Sequence, residues 1–296
     1  MTSSTETQSR DFTGLDTWEN ERILGALIAG QERGLAAVKS AIPQISAAAT
    51  ALAKCLEGGG RLFYAGAGTS IRIGVQDGAE LSATFGMDAS RITYLIAGGR
   101  AAMFDTLGDA EDDAQAGTLA ACICKRGDAL IAIAASGTTP YTVAAANRAR
   151  GNGATVIAVV NNANTPLAAA AEFAIFLNSG PEVIAGSTRL GAGTAQKAAL
   201  NLLSTLTHIR LGAVHDGLMV NVQASNAKLK ARAIRIVSQV SGATALEAGN
   251  ALDVAGGAVK PAVLLCAGAA SLGAAQQMLR EANNNLRLAL ARVLAP

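Results

Sequence analysis

The chain is poor in aromatic residues, histidine, proline and cysteine, and each shortage closes off a class of function. Aromatics make up only 3% of its 296 residues. That leaves few rings to stack on bases, and no dense Lys/Arg stripe accompanies them, so nucleic acid is not an expected partner. Lys and Arg number 24 against 22 Asp and Glu, a formal charge of only +2. No apolar run reaches about 18–20 uninterrupted residues, so no membrane span is expected. The opening Met1-Thr2-Ser3-Ser4-Thr5-Glu6 lacks the basic region and apolar stretch of a secretory signal, which points to a cytoplasmic protein. The four cysteines are Cys55, Cys122, Cys124 and Cys266. Cys122 and Cys124 form C-x-C in a predicted helix with no second pair and no suitably spaced His, so they read as reduced thiols and no metal site is expected. His208 and His215 fall in or just beyond another predicted helix and carry no motif.

What is present is aliphatic. Half the residues are hydrophobic, most of them Ala, Val, Leu and Ile, enough for a sizeable core with close helix-on-sheet packing. The length suits one large domain, or one with helical attachments. The first ten or so residues are polar and expected to be loose. Residues 15–56 show helical spacing, punctuated by Gly34 and Pro43. Gly58-Gly59-Gly60 ends that stretch, and the rhythm becomes apolar run, Gly/Ser-rich loop, helix. Strands are predicted at 61–65, 92–97, 129–134, 155–160 and 173–177. Continuous apolar strands alternating with helices imply a mostly parallel sheet covered on both faces. Long helices are expected at 192–211 and 225–240, and the tail to Pro296 has helical spacing with Gly interruptions.

Three loops carry the chemistry. Gly66-Ala67-Gly68-Thr69-Ser70 joins a strand to a helix, where small residues, hydroxyls and a helix N-terminus favour an anion. Glycine also serves any tight turn. The loop is neither a dinucleotide fingerprint, since Ile71 stands where Gly is needed, nor a P-loop. Ser136-Gly137-Thr138-Thr139-Pro140 repeats the design, though a helix cap alone needs only one hydroxyl. Two such loops at the carboxyl ends of parallel strands point to a phosphate site. The third, Gly180 to Arg189, leads into Gly193-Thr194-Ala195-Gln196-Lys197 and offers Glu182, Ser187, Thr188 and Arg189 to a sugar or its carboxylate.

These segments, together with Asp77-Gly78-Ala79-Glu80, Leu95-Ile96-Ala97-Gly98-Gly99, Ala110-Glu111-Asp112-Asp113 and Asn201-Leu202-Leu203-Ser204-Thr205, resemble the N-acetylmuramic acid 6-phosphate etherase family of the sugar isomerase (SIS) fold. The resemblance runs in order over roughly residues 10–240, most specifically over 180–197. It implies an α/β, three-layer SIS-type sandwich with a mostly parallel sheet. On that reading residues 1–51 are N-terminal helices, 52–218 the SIS domain and 219–296 a small C-terminal helical region. It also implies a homodimer with the site near the subunit interface, a sugar-phosphate substrate, and no metal or cofactor.

The implied reaction cleaves the lactyl ether at sugar carbon 3, giving N-acetylglucosamine 6-phosphate and D-lactate. Opening the sugar exposes an aldehyde that acidifies the carbon 2 proton. By resemblance Glu80 handles that proton, while Glu111 assists lactate departure and activates the incoming water. Read without the family, Glu80 is a helix surface charge and Glu111 an acidic helix start. Gly68, Thr69, Ser70, Ser136, Gly137, Thr138 and Thr139 would hold the phosphate. Glu182, Ser187, Thr188 and Arg189 would form a further wall. The chain departs from the family at Ile71, at Leu81-Ser82-Ala83-Thr84, at Thr138 where Arg is usual, and at Leu190-Gly191 where Met-Lys is usual. Two basic groups are thus absent, with Arg72, Lys197 and Arg210 as possible replacements. The rival readings are another SIS sugar-phosphate isomerase and a non-catalytic sugar-phosphate-binding regulator. A dinucleotide-binding protein is a distant third.

Overall fold

Five short apolar runs build the central sheet of the computed structural model, which describes residues 4–105, 108–222 and 226–293. The strands are β1 (Leu62–Gly66), β2 (Ile92–Ile96), β3 (Ala129–Ala134), β4 (Thr155–Val160) and β5 (Phe173–Phe176). All neighbours pair in parallel, in the order β2-β1-β3-β4-β5. Every residue of β1 and β3 is buried, as expected of strands covered on both faces. The predicted strands are recovered to within a residue at their ends. Arg61 falls just outside β1, where its backbone N–H and guanidinium donate to Asp128 at 2.9 and 2.8 Å. Burial would raise the Asp128 pKa, but these bonds and the Lys125 N–H hold it below the ordinary carboxylate value.

The direction of strand addition reverses between β1 and β3. From β1 the chain adds β2 on one side, then returns to add β3, β4 and β5 on the other. Gly66 and Ile133 are register partners, so the loops after β1 and β3 leave the sheet side by side. This is the switch point at which open α/β sheets bind ligands.

The chain divides into two compact units, the first comprising residues up to Ala79 and Ser90–Leu206, the second Glu80–Ala89 and the residues from Thr207 onward. In the first unit, α1 (Asn20–Ser40) and α2 (Ile42–Glu57) precede the sheet. Pro43 sits in the opening turn of α2, where its missing N–H is harmless. Gly34 lies inside α1 rather than breaking it, because a side chain there would strike the Gly191 carbonyl. α3 (Gly68–Phe85) and α7 (Gly191–Arg210) begin in this unit, which also holds α4 (Ala114–Ala120), α5 (Pro140–Gly151) and α6 (Pro166–Ala170). Ala145, Ala146 and Ala149 of α5 join Ala132, Val156 and Ala158 of the sheet in one buried cluster, so alanine serves close packing.

Two local expectations are corrected. The segment from Ser4 onward is not loose: Ser4–Glu6, Arg10–Phe12 and Leu15–Thr17 each form a 3₁₀ turn, and Thr5 is fully buried. The cysteine pair is not within a helix. α4 stops at Ala120 and a 3₁₀ turn carries an exposed Cys122, with a buried, extended Cys124 after it. Among the described residues no cluster of His, Cys, Asp and Glu is arranged to hold a metal.

The second unit has its own core. The hairpin β6 (Val214–His215) and β7 (Leu218–Met219) leads to α8 (Ala227–Ser241), α9 (Ala245–Val254), α10 (Val259–Cys266), α11 (Leu272–Glu281) and α12 (Leu286–Val293). Ser225, the expected start of α8, lies outside the described residues. α8 ends on a left-handed Gly242, and α9 opens with a Thr244/Glu247 capping box. Val237, Leu252, Val263 and Leu286 share its buried cluster. No single described helix is long and apolar enough to cross a membrane; α1 and α2 pass that test only together, bent by 60°.

Candidate active site

The two hydroxyl loops converge on one cavity of about 360 Å³. Gly68, Thr69 and Ser70 form the first turn of α3, and Ser70 is only 9% exposed. From the second loop come Ser136, Thr138, Thr139 and Pro140. The Thr138 N–H donates to Ser136 Oγ at 3.2 Å, tightening the turn. Gly137 has a φ of 68°, and a side chain there would strike Thr165, so only glycine fits. Pro140 then opens α5 at its first turn. Thr188 supplies a hydroxyl from the third loop.

Acidic groups complete the wall. Glu111 ends the 3₁₀ turn Gly108–Glu111 and lines the cavity beside Asp112. Glu6 lines it as well. Hydroxyls and a helix start favour an anion, and a solvent-exposed carboxylate on the same wall can exchange protons with what is bound there.

Other predicted residues fall elsewhere. Glu80 is exposed on α3, in the part of that helix assigned to the second unit, and is not among the cavity's lining residues. Glu182 is not among the residues that line the cavity. It is 3% exposed, and its two oxygens accept from the Gly191 N–H at 3.0 Å and the Ala192 N–H at 2.8 Å. It therefore caps the start of α7, where a negative charge is favoured. Ser187 and the exposed Arg189 belong to the third loop but do not line the cavity.

The departures also have places. Ile71 is fully buried and fills core space. The Arg72 guanidinium donates to the Ala102 carbonyl at 2.9 and 3.3 Å and to the Asp105 carbonyl at 3.3 Å, tying down the segment after β2. Arg72, Lys197 and Arg210 are all absent from the cavity lining. The histidines pack within the second unit. His208 is buried and stacks on Phe85 with ring centres 4.6 Å apart. Burial lowers the His215 pKa, against the opposing pull of Asp216.

Sequence reasoning missed three acidic residues. Glu6 and Asp112 reach the wall, and neither has a local signature. Asp77 was quoted only as part of a motif. It is 5% exposed and accepts from the Tyr64 hydroxyl at 2.8 Å, the Asn201 amide at 2.8 Å and the Ser204 hydroxyl at 3.0 Å. Burial, then the Asp77 charge, raises the Tyr64 pKa well above its ordinary value, so the phenol stays a donor. This cross-link fixes α3 against β1 and α7. An acidic residue inside an apolar helix face is the one signal that would have marked it.

Known proteins match this chain over much of its length. A family model described as the SIS domain matches residues 108–206, and one described as the glucokinase regulatory protein N-terminal SIS domain matches residues 44–149. An N-acetylmuramic acid 6-phosphate etherase of Deinococcus radiodurans is 46% identical over 277 residues, 93% of this chain and 91% of its own. The chain belongs to the N-acetylmuramic acid 6-phosphate etherase family. Etherases of Symbiobacterium thermophilum (47% identical; 87% of this chain, 85% of theirs) and Serratia proteamaculans (40% identical; 97% of each) extend the match. The last span brings the C-terminal helices into the etherase alignment, beyond the residues that first suggested it.

Proposed function

We propose that this protein is a carbon–oxygen lyase that converts N-acetylmuramic acid 6-phosphate to N-acetylglucosamine 6-phosphate and D-lactate. The observation that carries the reading is the hydroxyl-lined cavity with Glu111 on its wall, in a chain that matches etherases over most of its length. Ser70, Ser136, Thr138, Thr139 and Thr188 donate to the phosphate, with the start of α3 behind them. Elimination needs one group to take the carbon 2 proton and one to protonate departing lactate and then activate water. Glu111, already on the wall, suits the second task.

Glu80 takes the carbon 2 proton in this proposal, on the strength of its place in Asp77-Gly78-Ala79-Glu80 and its solvent-exposed position. The working enzyme is placed as a homodimer on the family resemblance, with the site near the subunit interface. The reaction belongs to the cytoplasm, where sugar phosphates are handled. No observation favours an isomerase or a regulator over an etherase.

The deciding experiment is D-lactate release from N-acetylmuramic acid 6-phosphate by the purified protein, with a chelator present. Lactate appearing together with N-acetylglucosamine 6-phosphate is the expected result. A folded protein that binds the sugar phosphate and releases no lactate defeats the reading. Unchanged turnover in Glu80→Gln defeats the assignment of that residue alone.

A further inference from the structure

The Ser4–Glu6 turn is fastened at the mouth of the cavity by bonds to distant parts of the first unit. The backbone N–H and hydroxyl of Ser4 donate to Asn162 Oδ1 at 2.8 and 2.9 Å. The Asn162 amide in turn donates to Thr5 Oγ1 at 3.1 Å and to the Ala135 carbonyl at 2.9 Å. The Gly186 N–H donates to the Thr5 carbonyl at 3.0 Å. Asn162 follows β4, Ala135 follows β3, and Gly186 lies in the third loop. The turn is thus tied to the strand end that carries the second hydroxyl loop and to the segment that carries Thr188.

Ordering a short polar segment costs conformational entropy, and these bonds offset it with Thr5 fully buried. Their effect is to hold one exposed side chain, Glu6, on the cavity wall. Its carboxylate lies against Gly186, where a Cβ would come within 2.8 Å of Glu6 Oε2. A carboxylate only accepts hydrogen bonds and repels a phosphate, so it is chemically opposite to Ser136, Thr138 and Thr188 around it. What suits it is the part of a ligand that donates: ring hydroxyls and an amide N–H.

We propose that Glu6 is a substrate-binding residue that accepts hydrogen bonds from the hydroxyl or amide N–H groups of the sugar, and that Ser4 and Thr5 form a strap that positions it. The assignment rests on the sugar-phosphate reading of the cavity and adds to it the group that recognises the sugar rather than the phosphate.

The two ligand parts give the test its discrimination. Calorimetric binding of N-acetylglucosamine 6-phosphate and of inorganic phosphate is compared among the wild type, Glu6→Gln and Glu6→Ala. The expected result is about tenfold weaker sugar-phosphate binding in Glu6→Ala, one charged hydrogen bond lost, with inorganic phosphate binding unchanged or tighter because a negative charge has gone. In lactate release the same variant raises KM about tenfold with little change in kcat. Sugar-phosphate affinity unchanged in both variants overturns the proposal. Equal weakening of both ligands also overturns it, because that is the mark of a strap that only shapes the loops. A wild type that binds neither ligand sinks the sugar-phosphate reading and the proposal together, an outcome distinct from the other two.

Discussion

Glu111 and Glu182 carry the same group in the same unit, yet one faces the cavity and the other is buried outside it. Glu6 pairs with the first and Asp77 with the second. The difference lies in what satisfies the charge. Glu182 accepts two backbone N–H groups and Asp77 three side-chain donors, with no cation near enough to form an ion pair among the described residues. A buried carboxylate so furnished is a fastener, because every donor it holds would be stranded without it. An exposed carboxylate on a cavity wall keeps its lone pairs for a ligand.

The strongest way to break this comparison is to remove the charge on each side. Glu111→Gln is expected to lower kcat by about 10²–10⁴, the usual worth of a positioned acid or base. Its denaturant midpoint should stay at the wild-type value. Asp77→Ala and Glu182→Ala should do the reverse, each losing on the order of 3–4 kcal/mol of stability by stranding two or three buried donors. Denaturant unfolding and steady-state lactate release, measured on all three variants, decide the matter. A stable Glu182→Ala protein without turnover would move Glu182 from fastener to chemistry and undo the contrast.

The same contrast marks how far the sequence could be read. Strands announced themselves because apolar runs such as Ala129–Ala134 end in Gly/Ser loops, and that pattern survives any tertiary setting. The hydroxyl loops were legible for the same reason, since Ser136-Gly137-Thr138-Thr139-Pro140 codes its turn locally. The fastening of Glu182 was not legible because its partners, Gly191 and Ala192, contribute backbone groups, which leave no trace in residue type. Glu6 was missed because its fastening runs through Asn162, more than 150 positions away. Long-range hydrogen bonds decide which polar residues are fasteners, and a single sequence does not record them.

The second unit supplies a cation to set against these carboxylates. Lys260 is 3% exposed and donates to the Asn284 carbonyl at 2.7 Å, and among the described residues no carboxylate forms an ion pair with it. Burial pushes its pKa down to about 8 from 10.5. The unfolded chain then binds more protons than the folded one between those values, so stability rises as pH increases through that window. The shift corresponds to on the order of 3 kcal/mol. The stability difference between wild type and Lys260→Met, followed by denaturant unfolding from pH 7.5 upward, should change by about that much in favour of the wild type. A difference that stays flat would mean the ammonium is better solvated than its burial implies. The carboxylates would then have no buried cation to be compared with.

The smallest effect sharpens the cavity side. Thr138 is exposed on the wall, within the second hydroxyl loop. A hydroxyl gives the phosphate one neutral hydrogen bond, whereas a guanidinium would give charge-assisted bonds in a planar fork. Solvent screening at an exposed position reduces that advantage to about 1 kcal/mol, or roughly a fivefold lower KM for Thr138→Arg. Because the gain is electrostatic, it should shrink as salt is added, while kcat stays near the wild-type value. The opposite charge at Glu6 makes the reading stricter. If Glu6 holds the sugar and residue 138 the phosphate, then Thr138→Arg combined with Glu6→Ala should leave sugar-phosphate binding weaker than Thr138→Arg alone while binding inorganic phosphate more tightly than the wild type. A KM for Thr138→Arg that does not fall even at low salt would place the phosphate away from the second hydroxyl loop.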